Sequence, residues 1–155
     1  MKLADADATG AAGAALADQL AARSGVVIYL QGDLGAGKTT FARGLLRRLG
    51  VRGAIRSPTY TLMEPYEAGN RRVLHMDLYR LRDPLELEQL ALDDFPPAST
   101  WWLVEWPERG ESRLPRPDVS VHLAEDGDGR RLRLESTLAG LEAAMLERAA
   151  VKPST

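Results

Sequence analysis

Gly32-Asp33-Leu34-Gly35-Ala36-Gly37-Lys38-Thr39 fills every fixed position of the pattern G-x-x-x-x-G-K-[ST], and its flanks decide the fold. Before it, Val26-Val27-Ile28-Tyr29-Leu30 is a continuous apolar and β-branched run, the composition of a strand covered on both faces in a parallel sheet. After it, Thr40 to Leu49 carries apolar residues at 41, 42, 45, 46 and 49, one stripe of an amphipathic helix that stops at Gly50. Strand, glycine loop and helix in that order turn backbone N–H groups toward one centre and add the positive end of a helix dipole, so the expected guest is a phosphate. The lysine sharpens this. Of 20 basic residues only Lys2, Lys38 and Lys152 are lysines, and Lys38 alone lies away from the chain ends. A lone ammonium in an arginine-rich chain points to a site that needs a compact charge on a flexible stem.

Working outward, residues 10–23 are rich in Ala and Leu and read as a helix capped by Thr9. Beyond Gly50, an extended run from Tyr60 to Tyr66, a turn at Gly69-Asn70 and a second run from Arg71 to Asp77 read as a hairpin or adjacent strand pair. Asp83-Pro84-Leu85-Glu86 opens a short helix expected to reach about Leu92. Trp101 to Glu105 is a second buried-strand candidate between prolines, with Glu105 at its tip. Val119–Leu123 and Arg131–Glu135 alternate around an Asp/Gly turn as a hairpin, and 138–149 closes as a helix. The fold class expected is α/β: a three-layer P-loop NTPase-like sandwich with a central, mostly parallel sheet, an antiparallel hairpin element, and a ligand site beyond the carboxyl ends of the strands.

Composition narrows the functional classes. At 155 residues a single domain is expected, residues 1–155. A formal charge of −2 argues against a chain that grips nucleic acid by bulk electrostatics. There is no cysteine, so disulfides and thiolate metal sites are excluded. No apolar run approaches the roughly 20 residues of a membrane span and no signal pattern opens the chain, so the expectation is a cytoplasmic protein with no membrane association. A triphosphate arrives with Mg2+, which takes oxygen ligands, commonly the loop hydroxyl and a carboxylate at a neighbouring strand end. Asp77 and Glu105 both qualify, and the pattern alone does not separate a ligand from a solvated strand-end acid.

Five blocks carry a more specific signal: residues 32–40, Ser-Pro-Thr-Tyr-Thr-Leu at 57–62, His-Met-Asp-Leu-Tyr-Arg-Leu at 75–81, Asp-Pro-Leu-Glu-Leu-Glu at 83–88 and Val-Glu-Trp-Pro-Glu at 104–108. In order and spacing, over residues 9–125, they resemble the TsaE (YjeE) family, bacterial P-loop ATPases required for threonylcarbamoyladenosine formation beside the anticodon of tRNA. The resemblance implies ATP and Mg2+ as cofactors. Nucleotide contacts would come from Asp33, Leu34, Gly35, Ala36, Gly37, Lys38, Thr39 and Thr40. It also implies Thr39 and Glu105 at the metal, Lys38, Asp77 and Glu105 in catalysis, Thr59 on a switch-like loop closing over the γ-phosphate, Trp106 near the nucleotide and Thr9 near the base. Its implied partners are the TsaB and TsaD proteins, which perform the transfer; tRNA would be contacted mainly through them, and hydrolysis would be slow in the isolated chain. Departures from the usual family pattern are Met76 for Phe, a conservative packing change, and Ala91 for Gly and Asp93 for Arg, which bear on loop shape and charge-based docking at the 83–93 segment and not on nucleotide binding.

Rivals of other classes remain at this level. A small-metabolite kinase needs an acceptor pocket and an Arg-bearing lid, for which the chain has little room. A GTPase switch needs an Asn-Lys-x-Asp motif, yet Asn70 is the only asparagine. A non-hydrolysing nucleotide-binding adaptor would use the same residues. Trp101 and Trp102 read as core, His75 as structural or loop-anchoring before general base, and Tyr79-Arg80 as either partner surface or internal pairing.

Overall fold

A computed structural model describes residues 1–150. One seven-stranded sheet organises them, built from β1 (Lys2–Leu3), β2 (Val26–Gln31), β3 (Met63–Ala68), β4 (Arg71–Asp77), β5 (Thr100–Glu105), β6 (Val119–Asp126) and β7 (Gly129–Ser136) in the order β1-β7-β6-β2-β5-β4-β3. The inner four strands β6, β2, β5 and β4 are parallel; the hairpins β3/β4 and β6/β7 and the short β1 add antiparallel edges. The continuous apolar runs sit centrally, as expected: β2 and β5 are buried along nearly their whole length.

Three α-helices cover one face: α1 (Ala6–Gln19), α2 (Lys38–Leu49) and α3 (Leu141–Ala150). They share a core with Val26, Ile28, Leu30, Val73, Trp101 and Leu103, the alternate residues of β2, β4 and β5. Their neighbours Val27, Leu74, Met76, Trp102 and Val104 point the other way, onto Leu78, Leu87, Phe95 and Leu114. That second outer layer includes 3₁₀ turns at Pro84–Gln89, Leu92–Asp94, Pro107–Arg109 and Glu111–Arg113; the first stands where the Asp-Pro-Leu-Glu segment predicts one short helix to about Leu92. Asp83 does cap, accepting from the Leu85 N–H at 2.9 Å, but Leu90 N–H closes on Leu87 O and the turn tightens and stops. Trp101 and Trp102 are core residues, each donating its indole N–H to a backbone carbonyl, of Arg23 and Phe95.

Several boundaries differ from the sequence reading. Helix α1 both starts and ends four residues earlier than expected, at Ala6 and Gln19, capped by Asp5, whose carboxylate accepts from Ala8 N–H; Thr9 lies inside the helix, 1% exposed, its hydroxyl donating to Asp5 O. A carboxylate three residues before the N–H it caps outcompeted the threonine. The run from Tyr60 is not extended until Met63: Leu62 N–H bonds Pro58 O at 2.8 Å and Leu62 adopts a left-handed φ of 68°, so 58–62 forms a tight turn. The last helix begins at Leu141.

Helices α1 and α2 approach unusually closely, and glycines permit it. A Cβ on Gly13 would lie 2.2 Å from Phe41 O, and one on Gly44 would lie 2.1 Å from Gly10 O. Asp18 of α1 clasps both neighbours at the far end of this layer, accepting from Arg48 of α2 at 2.7 Å and Arg148 of α3 at 3.0 Å.

Candidate functional site

The carboxyl ends of β2, β4 and β5 open onto one cavity of about 400 Å³, lined by Leu34, Gly35, Gly37, Lys38, Thr39, Thr40, Thr59, Asp77, Tyr79, Arg80, Glu105 and Trp106. The phosphate loop runs from the end of β2 into α2. Gly32, Gly35 and Gly37 take φ values of 151°, 78° and 103°, and Gly32 also comes too close to Leu123 O for any Cβ. Ala36 turns into the core, 1% exposed, and Asp33 faces solvent, so neither side chain lines the cavity. Lys38 folds back over the loop, its ammonium donating to the carbonyls of Gly32 and Asp33 and lying 4.4 Å from the centre of the Trp106 ring. Burial pushes that ammonium below the ordinary lysine pKa, while Glu105 and then Asp77 pull it back part of the way.

The strand alternation that aims Val73, Trp101 and Leu103 at the helical layer aims His75, Asp77 and Glu105 there too. Asp77 and Glu105 are direct register partners at the tips of β4 and β5. Both are buried, at 5% and 1% exposure, so neither is a solvated strand-end acid. Glu105 holds two partners: its Oε1 accepts the Thr39 hydroxyl at 2.9 Å and its Oε2 meets His75 Nε2 at 2.7 Å. Asp77 accepts the Thr59 hydroxyl at 3.0 Å and the Tyr79 N–H at 3.0 Å. The turn at 58–62 is therefore fastened to the strand end through Thr59, which also bonds Ser57 Oγ at 2.7 Å.

The donor set suits a small hard cation. Because the Thr39 proton is directed at Glu105, the lone pairs of its oxygen stay available, and a carboxylate stands beside them. Mg2+ uses few protein oxygens and completes its shell with water and phosphate, so the absence of any cluster of three or more acidic, His or Cys side chains among the described residues is compatible with it.

Ten of the sequence-derived site residues line or edge this cavity. Thr9 stands apart, in an adjoining recess of about 140 Å³ with Asp5, Gly37, Thr40, Asp128 and Arg130. Sequence reasoning missed Arg130, which reaches from the start of β7 to donate to Gly35 O at 2.9 Å; no local pattern links a strand arginine to a loop 95 positions away. Tyr79 packs against Trp106 in a tilted arrangement, ring centroids 5.1 Å apart, and Arg109 lies over both rings. Arg80 edges the cavity but its guanidinium lies over the exposed Tyr60 ring. Both residues the sequence left open thus belong to the cavity wall.

A parallel sheet with a glycine loop between its central strand and a helix, a lysine and threonine opening that helix and an acid ending the adjacent strand, defines the P-loop class of nucleotide-binding folds. The sequence model described as "Threonylcarbamoyl adenosine biosynthesis protein TsaE" matches residues 3–132. Proteins named tRNA threonylcarbamoyladenosine biosynthesis protein TsaE are similar to the chain in Haemophilus influenzae (44% identical, covering 70% of this chain and 69% of that one). So are those of Bacillus subtilis (40%; 71% and 68%) and Synechocystis (48%; 69% of each). The crystal structure of Bacillus subtilis YdiB superposes with a TM-score of 0.73 at 28% identity, covering 96% of this chain and 90% of that one. The chain belongs to the TsaE family.

Proposed function

We propose that this protein binds and hydrolyses Mg-ATP as an accessory component of threonylcarbamoyladenosine modification of tRNA, acting in the cytoplasm with the TsaB–TsaD pair and leaving the transfer itself to them. Family membership supports the pathway. The observation that carries the ATPase reading is the Thr39–Glu105 hydrogen bond, which joins the first turn of the phosphate-loop helix to the end of the neighbouring strand, where a phosphate-bound cation is held in this class.

In this reading the loop amides and Lys38 bind the β- and γ-phosphates, and Lys38 exchanges its carbonyl partners for phosphate oxygens. Thr39 and Glu105 would hold Mg2+, which supplies neutralisation of charge on the transferring phosphoryl group. Asp77 stands where it can orient an in-line water once Thr59 turns from its carboxylate toward the γ-phosphate. Thr9 lines the recess beside Gly37 and would lie toward the base end of the nucleotide. Trp106 closes the wall over Lys38. The only arginine lining the cavity among the described residues is Arg80, and its guanidinium is engaged with Tyr60, which supports slow turnover in the isolated chain and stimulation by the partners.

The test is steady-state ATP hydrolysis by the protein alone and with TsaB and TsaD, with Lys38→Ala and Glu105→Gln beside it. The expected result is a rate that rises with the partners and falls by roughly 100-fold or more in both variants, with multi-turnover tRNA modification lost in Lys38→Ala. Unchanged modification by Lys38→Ala refutes the role. Retained modification by a Glu105→Gln protein that binds ATP without turnover identifies a non-hydrolysing adaptor.

A further inference from the structure

His75 is the one buried imidazole of the sheet's helical face, 1% exposed, and nothing in the proposed chemistry uses it directly. It sits on β4 opposite Leu103, so Glu105 lies two residues further along the neighbouring strand and on the same face. The two side chains meet at 2.7 Å, Nε2 to Oε2, with both groups nearly excluded from water. The carboxylate oxygen can only accept, so the ring proton is on Nε2; Nδ1, on the far side of the ring, has no hydrogen-bond partner among the described residues. His75 thus commits Nε2 to one oxygen of Glu105, and Glu105 commits its other oxygen to the Thr39 hydroxyl.

From this chain of contacts we infer that His75 is a positioning residue for the cation site: it fixes the rotamer of Glu105 so that Oε1 faces the Thr39 hydroxyl. The Glu105 side chain projects from the last residue of β5, and Trp106 immediately after it takes a left-handed conformation with φ 56°, so the backbone turns away there and supplies no neighbouring strand residue to hold the carboxylate. Without His75, Oε2 has no hydrogen-bond partner among the described residues, and the carboxylate is free to rotate away from Thr39. Groups that orient a ligand in this manner commonly change metal affinity by roughly 10–100-fold when removed. Asp77, the register partner of Glu105, cannot take over from His75, because a carboxylate has no proton to donate to Oε2.

This inference rests on the Mg-ATP reading above, and one experiment separates the two. ATP binding is measured by titration calorimetry on the full chain, first in EDTA and then at increasing Mg2+, for wild type, His75→Leu, His75→Asn and His75→Gln. In wild type, Mg2+ tightens ATP binding. In His75→Leu the affinity in EDTA stays within about twofold of wild type while the Mg2+ concentration giving half the tightening rises roughly 10-fold or more. His75→Asn, whose amide is too short to reach Oε2, behaves like His75→Leu and replaces it if the leucine variant does not fold. His75→Gln, whose amide N–H can reach that oxygen, recovers most of the Mg2+ response. Wild-type Mg2+ dependence in the leucine or asparagine variant overturns the inference. So does an equal loss of affinity with and without Mg2+, which marks a purely structural histidine. Absence of any Mg2+ effect in wild type brings down the metal site itself.

Discussion

Gly44 offers a test in which intrinsic propensity and packing predict opposite signs. It stands in the interior of α2, where replacing glycine by alanine ordinarily stabilises a helix by about 1 kcal/mol. Here the new Cβ would sit 2.1 Å from Gly10 O, 2.7 Å from Gly10 C and 2.8 Å from Gly10 Cα. These are backbone atoms, which cannot swing aside as a side-chain tip can. Relief requires α1 and α2 to separate by more than an ångström, across an interface that includes Leu16, Phe41 and Leu45, all without measurable exposure. Overpacking costs about 1–3 kcal/mol, and a contact this short against backbone belongs at the upper end. After subtracting the propensity gain, Gly44→Ala should lose about 2 kcal/mol, lowering the thermal midpoint by about 4–8 °C for a chain of this size. Gly10→Ala is the matched control. It lies on the facing helix, yet its Cβ meets only Thr40 O at 3.9 Å, so the same substitution should stabilise by about 0.5–1 kcal/mol. Urea and thermal unfolding of both variants decide the matter: a Gly44→Ala protein as stable as wild type, or a Gly10→Ala protein equally damaged, refutes the close-approach argument.

Three further outcomes follow from the site and the helical layer. Lys38 carries a pKa lowered from 10.5 by burial, so in the window between that lowered value and 10.5 the unfolded chain holds more protons and the lysine's contribution to stability improves as pH rises. Phosphate affinity runs the other way: the ATP dissociation constant should climb at a pH below 10.5, and Lys38→Met should bind weakly with no such break. Of the three tryptophans only Trp106 lines the cavity, so nucleotide should change the emission of wild type and leave that of Trp106→Phe unaltered; a change that survives the substitution would place the ligand elsewhere. Asp18 has its carboxyl pulled below 3.8, first by its hydrogen bond to Arg48 and then by Arg148, against a desolvation that raises it. Its stabilisation is therefore complete above 3.8 and lost as pH falls through the lowered folded value, and Asp18→Asn should lower the midpoint at neutral pH by only about 1–3 °C because the pairs are solvent-screened.

What the sequence revealed and what it concealed divide along a physical line. Elements whose signal is a period were readable: β2, β5, α2 and the β6/β7 hairpin follow from continuous apolar runs, a 3.6-residue stripe and alternation. The phosphate loop was readable because its glycines are demanded by local backbone geometry, as the φ values of Gly35 and Gly37 show. Signals that depend on a competitor misled. Thr9 is a good cap, but Asp5 is present and takes the free N–H first, and the helix lies about one turn nearer the N-terminus than expected. Asp83-Pro84-Leu85-Glu86 opens a helix correctly, but Leu87 is drawn onto the sheet beside Leu74 and Trp102 and the turn narrows to 3₁₀.

Contacts set by strand register were invisible from local pattern, and the site is built largely from them. Nothing near His75 in the chain shows that Glu105 will lie diagonally beside it; that follows only once β4 and β5 pair in parallel with His75 opposite Leu103. The alternative register, slipped by one residue, would turn His75, Asp77 and Glu105 toward the 3₁₀ layer and send Met76 and Val104 against α2. The apolar residues between the acids forbid that slip, because Leu74, Met76, Trp102 and Val104 fill the opposite core. Hydrophobic residues with no chemistry of their own thus deliver two carboxylates and an imidazole to the helix that carries Lys38 and Thr39. Weakening the site therefore does not require touching a polar residue. A cavity at Met76 or Val104 that loosens the β4/β5 register should reduce cation-dependent nucleotide affinity before it unfolds the chain.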